Sequence, residues 1–149
     1  MSFKLSERSL DRLKGVDQKL VDVVKRAIDL TEIDFGVSEG LRTLERQKEL
    51  VEKGASQTLK SKHLGGRAVD LVAYIGPRVS WELAVYDDIA DAVRQAANEL
   101  EVTICWGAAW HKNLTDTKMS AEDLMNEYID LRRSQSRRPF IDAPHFELA

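Results

Sequence analysis

The chain has 149 residues, a formal net charge of -3, 32% charged and 43% hydrophobic residues, which suits one folded domain that buries a core without covalent staples. The acidic balance carries no signal for nucleic acid or a membrane surface, and no run approaches the roughly 20 apolar residues of a membrane span. Cys105 is the single cysteine, which excludes an intrachain disulfide and thiolate-rich zinc ribbons; a metal here is held by imidazole and carboxylate.

Met1 to Arg8 lack the apolar core of a secretory signal. The expectation is a protein made in the cytoplasm in soluble form, which needs outside help to reach any target beyond the membrane. Ser9 to Thr31 predicts helix, because Leu10, Leu13, Val16, Leu20, Val23, Val24, Ala27 and Leu30 recur at spacings of three and four. Gly15 divides it into a short and a longer piece. Residues 1–33 are thus a helical N-terminal segment of a single domain spanning 1–149. Asp34 to Ser38 leans to strand, and Thr43 to Lys53 to a helix closed by Gly54. Ala55 to Lys62 is polar and aperiodic, a loop.

Arg67 to Tyr74 predicts a strand ended by Gly76-Pro77. Ser80 is placed to cap a helix from Trp81 to about Glu99, with Leu83, Ala84, Ile89, Ala92, Val93, Ala96 and Leu100 as its buried stripe. Val102 to Trp106 predicts a strand, Ser120 to Arg133 a helix with a capping-box-like start, and Pro144 to Leu148 a last strand. Helices and strands mix without βαβ alternation. The class is therefore α+β, a small antiparallel sheet packed against helices.

Two segments carry chemistry: Ser61-Lys62-His63-Leu64-Gly65-Gly66-Arg67-Ala68-Val69-Asp70 and Asp142-Ala143-Pro144-His145-Phe146-Glu147. A catalytic zinc site takes three protein ligands and keeps one position open. His63, His111 and His145 are the only imidazoles, and two of them have a carboxylate close by in sequence. Spacing alone leaves two readings open: a metal site, or ordinary turns in which a histidine lies near an aspartate. A helix bearing H-E-x-x-H is absent.

The pattern Ser61-x-His63-x-x-Gly66-x-Ala68-x-Asp70 with Asp142-x-x-His145 resembles the signature of the D-Ala-D-Ala carboxypeptidase-like metallopeptidases, which group with lysostaphin and hedgehog-type zinc folds. Within that group it is most similar to phage endolysins that cleave the L-alanyl-D-glutamate bond of peptidoglycan. Gly40-Leu41-Arg42-Thr43, Gln47 and Trp106-Gly107 extend the likeness. The chain departs from it at Leu41, where an aromatic is common, and at Ala108-Ala109, where Gly-Asp is common.

The resemblance implies one zinc ion held by His63, Asp70 and His145 on the small sheet. It implies that Asp142 works on the attacking water and that Arg42 faces the substrate, with Ser61 in support. It implies a monomeric hydrolase acting on the cell wall in host lysis, released from the host cytoplasm through a holin lesion. A D,D-carboxypeptidase or dipeptidase with the same site, or a non-catalytic zinc module, are the alternatives. Glu147 lies on the His145 side of its strand, where it either orients a ligand or is a surface acid. His111 is either a substrate contact or a solvated loop residue. Trp106 and Trp110 read as core or wall residues or as sugar-stacking platforms, with Trp106 a candidate for substrate binding or support. The run Arg132-Arg133-Ser134-Gln135-Ser136-Arg137-Arg138 reads as a solvated helix end or as a contact for an anionic surface.

Overall fold

The computed structural model describes residues 3–56 and 61–149. Helices α1 (Glu7–Arg12) and α2 (Gln18–Leu30) precede β1 (Asp34–Glu39) and α3 (Leu44–Glu52). A 3-10 turn (Lys62–Gly65) leads into β2 (Ala68–Ile75), then β3 (Arg78–Ser80) and α4 (Leu83–Glu99). β4 (Ile104–Trp106), a second 3-10 turn (Leu114–Asp116), α5 (Ala121–Ser134) and β5 (His145–Leu148) complete the chain. The fold is α+β, as the mixed order of elements implies.

The sheet runs β1-β2-β5-β4, every pair antiparallel, with β3 pairing the end of β2 that β5 leaves free. The period of two sets its faces. Val69, Leu71 and Ala73 turn into the helical core beside Phe35, Val37, Phe146 and Leu148, while Asp70 faces the other way. Asp70 stands opposite His145 on one side and Glu39 on the other. Three strands therefore deliver three polar side chains at one level.

α2 packs on α4 and buries Leu20, Val23, Val24 and Ala27. Each large aliphatic side chain removed from water there contributes about 1.5–3 kcal/mol. Asp17 caps α2 by accepting from the Lys19 amide and donates its own amide to the Gly66 carbonyl at 2.7 Å. Gly66 has φ 69°, and a Cβ there would lie 2.3 Å from the Gly15 carbonyl oxygen. The first two helices thus lock the turn that carries His63.

Three expectations need correction. Ser80 does not cap α4; it is paired in β3, a strand of three residues too short to show a period. The helix starts at Leu83 behind Glu82, which makes no side-chain cap bond. Leu83 and Leu100 are each 43% exposed, and Ala84 is exposed too: they keep the helical period but lie at the ends, beyond the packing partners. The buried stripe is instead Val85, Tyr86, Ile89, Ala92, Val93, Ala96 and Ala97. The expected loop from Ala55 falls partly on 57–60, outside the described residues, and its last residue, Lys62, opens the 3-10 turn.

Candidate metal centre

The cluster begins with hydrogen bonds that point away from it. His63 Nδ1 meets the Gly40 carbonyl at 2.8 Å. A carbonyl only accepts, so Nδ1 carries the proton and Nε2 is left as a bare lone pair. His145 Nε2 meets Glu147 Oε1 at 2.8 Å, and its Nδ1 is bare in the same way. These two lone pairs lie 3.2 Å apart, and each is 3.2 Å from Asp70 Oδ1.

With both imidazoles neutral, three Lewis-basic atoms converge with no donor among them. A proton on His145 Nδ1 or a metal cation relieves such an arrangement. Burial lowers the proton affinity of His145, yet hydrogen bonds to Asp70 and Glu147 override it and push its pKa up to about 9. Burial would likewise raise Asp70, but its bonds to His145 and His63 hold it well below the usual carboxylate range. Two imidazoles and one carboxylate, with outward N–H groups fixed by a carbonyl and a carboxylate, fit a divalent cation. Among the described residues no other cluster of His, Cys, Asp or Glu has this geometry.

The supporting residues are placed as follows. Ser61 accepts from the His63 amide at 3.2 Å and caps the 3-10 turn. Glu147, half-buried, bridges His145 to Lys62, whose ammonium is 3.0 Å away. Arg42 is almost fully buried. Its Nε and Nη2 grip both oxygens of Glu39 at 2.7 Å, its Nη1 donates to Gln47, and Nη2 lies 3.6 Å from Asp70 Oδ2. Gln47 is fully buried and also donates to Ser56.

Trp106 is fully buried, and its indole donates to the Ala143 carbonyl at 2.7 Å. It is a core residue, not a wall of the groove, and it pins the segment carrying Asp142. Trp110 does the same through Phe140 at 3.0 Å, with its ring 5.3 Å from that of His145. Gly107 sits between them. Its amide donates to the His145 carbonyl and its carbonyl accepts from the Asp142 amide, both at 2.8 Å. A Cβ on Gly107 would lie 2.1 Å from the Asp142 carbonyl oxygen, so only glycine allows this approach.

Asp142 faces the same groove as the cluster. Burial, then the charge of Asp70, push its carboxyl up to about 6 against the pull of His145, His63 and Arg42. A carboxyl poised there can both take and return a proton near neutrality. His111 is not a solvated loop residue: its Nε2 is 2.8 Å from Glu127 Oε1 and its ring packs against Tyr128. It lines the groove, which has a volume of about 880 Å³.

Glu39, Gly40, Lys62 and Gly107 are parts of the site that sequence reasoning did not assign. Gly40, Lys62 and Gly107 lie inside segments that carry the resemblance. Glu39 had no signal beyond standing next to Gly40.

Comparison with known proteins follows the same line. The model of the phage L-alanyl-D-glutamate peptidase family matches residues 1–149. The L-alanyl-D-glutamate peptidase of Escherichia phage T5 is 33% identical over 115 residues, covering 74% of this chain and 84% of that protein. That of a Listeria phage is 31% identical over 106 residues, covering 69% of this chain but only 37% of the longer relative. The crystal structure of the Serratia marcescens L-Ala D-Glu endopeptidase ChiX superimposes with a TM-score of 0.75 at 37% identity, over 99% of this chain and 91% of that one. The chain belongs to the phage L-alanyl-D-glutamate peptidase family.

Proposed function

We propose that the chain is an endopeptidase that hydrolyses the L-alanyl-D-glutamate bond in peptidoglycan stem peptides, with one zinc ion held by His63, Asp70 and His145. The observation that carries this reading is the mutual 3.2 Å approach of His63 Nε2, His145 Nδ1 and Asp70 Oδ1, with both imidazole protons turned outward.

A zinc ion held by these residues would supply Lewis acidity, polarising a carbonyl and lowering the pKa of water toward about 7. The chain supplies the rest. Asp142 accepts the proton of the attacking water and returns it to the leaving nitrogen, a task suited to a carboxyl pushed up to about 6. The Arg42 guanidinium lies beside Asp70 and lines the groove, where negative charge develops. Gln47 and Glu39 hold its fork in place. Glu147 fixes the tautomer of His145.

The non-catalytic alternative needs a fourth protein ligand to close the shell. Glu147 occupies the outer nitrogen of His145, and His111 is held by Glu127. Neither joins the three converging atoms, which supports an open position. No described helix is long and apolar enough to cross a membrane. Release through a holin lesion, action on the wall from the periplasmic side, and a monomeric state complete the proposal.

Digestion of purified peptidoglycan with mass identification of the fragments tests the bond. The expected products bear new C-terminal L-alanine and N-terminal D-glutamate. Release of terminal D-alanine with the L-alanyl-D-glutamate bond intact assigns the chain to the carboxypeptidase alternative.

A further inference from the structure

The groove has a second wall, built by the end of α5, that the chemistry above does not use. Arg132 and Arg137 both line it. The helix stops at Ser134, and Ser136 takes a left-handed φ of 57°. That turn folds the chain back, so the Arg137 amide donates to the Arg132 carbonyl at 2.9 Å. Two guanidinium groups are thereby brought to one side of the groove.

These cations differ from the others at the site. Arg42 is paired with Glu39, and Lys62 with Glu147. Among the described residues no carboxylate pairs with Arg132 or Arg137. The Arg132 Nε is buried and has no hydrogen-bond partner. The α5 dipole favours cations in its last turn and so accounts for the exposed Arg133. It does not account for a buried, unsatisfied Nε on Arg132, nor for Arg137, which lies beyond the helix. A buried donor without an acceptor is costly, and the described residues supply no partner to the Arg132 Nε.

We propose that Arg132 and Arg137 form a subsite for a free carboxylate on the leaving-group half of the stem peptide. This inference rests on the endopeptidase reading and names what that site recognises. A glutamyl residue has two carboxyl groups, and continuing the peptide uses only one. The carboxylate left over, or that of the residue attached next, is the anion that two guanidinium groups fit, since the planar fork matches carboxylate geometry. The subsite selects stems that keep this group ionised and discriminates against stems that carry it as the amide. Discrimination of this kind arises because the amide leaves a guanidinium unpaired in the groove.

The test uses three synthetic stem peptides containing the L-alanyl-D-glutamate bond: one with both carboxylates free, one amidated at the glutamyl residue, and one amidated at the next residue. The wild type is expected to lose roughly 10- to 100-fold in kcat/KM on one of the two amidated peptides, the size of one charge-assisted hydrogen bond. Which one identifies the carboxylate. Arg132→Gln and Arg137→Gln are expected to lose that preference, cleaving free and amidated peptides at similar low rates. Arg132→Lys should restore part of the preference. Arg133→Gln, a change outside the groove, should keep wild-type values. A general folding defect lowers all three rates together and leaves the ratio intact, so the ratio reads the subsite alone. Equal cleavage of all three peptides by the wild type overturns the proposal, as does full discrimination surviving in both glutamine variants. A wild type that cleaves none of the three sinks the endopeptidase reading itself, and this subsite with it.

Discussion

The sheet wall and the helical wall of the groove are finished to different degrees. On the sheet side, His63, His145, Glu147, Lys62 and Arg42 each have a protein partner that fixes their orientation. On the helical side, His111 Nδ1 and Arg132 Nε are buried without one. The contrast teaches where each kind of precision is needed. Metal-ligand geometry must exist before substrate arrives, because small misplacements of reacting groups are costly. Recognition of a flexible peptide can leave its polar atoms to be satisfied by the substrate.

Asp142 lines the groove between these walls, and its removal has the largest expected effect. Asp142→Ala should lower kcat by about 10²- to 10⁴-fold, the usual worth of a general acid–base group, while zinc stays bound. Peptide hydrolysis together with metal analysis on one sample checks this. Equal loss of zinc and activity would make Asp142 a ligand rather than a proton carrier.

Breaking the sheet wall without touching a ligand comes next. Gly107→Ala puts a methyl group where the Asp142 carbonyl already sits. The segment bearing Asp142 and His145 has to shift, and activity should fall roughly 100-fold, the effect of about 1 Å of misplacement. Circular dichroism separates this from global unfolding.

A smaller effect is expected from Glu147→Gln. The amide still reaches His145 but no longer fixes its tautomer by charge, and zinc affinity should drop about 10- to 100-fold. Competition with a chromophoric chelator measures it.

Not every unsatisfied buried atom belongs to function, and Asp87 sharpens that point. Its Oδ1 is buried without a partner on α4, outside the groove. Burial, then the charges of Glu122, Asp91 and Asp88, push its carboxyl up to about 6. The folded chain thus binds this proton more tightly than the unfolded one, whose value is about 3.9. The stability it contributes is present in the protonated form and falls as pH rises from about 4 to about 6. Asp87→Asn should leave kcat/KM unchanged. It should raise Tm by roughly 2–4 °C at pH 7.5 and bring no gain near pH 4. A gain of equal size at both pH values would mean that the charge is not the cause.

The candidate metal cluster was the most legible part of the sequence. With three histidines and one cysteine, few donor sets exist, and the segments around His63, Asp70 and His145 are short and distinctive. The strand period then places Asp70 and His145 on a common face. What holds those ligands was less legible. The Gly40 carbonyl, which orients His63, is a backbone atom and has no residue signature. The Lys62–Glu147 pair spans most of the chain, and no local pattern announces such a contact. β3 was missed because three residues cannot show alternation. The ends of α4 were misjudged because periodicity reports which face a residue is on, not whether a neighbour reaches far enough to cover it.

Calorimetric titration of metal-stripped protein with Zn²⁺ tests the central claim most directly. The account predicts one ion per chain for the wild type and loss of that binding in His63→Ala and in His145→Ala. Undiminished one-to-one binding in either variant, or none in the wild type, would contradict it.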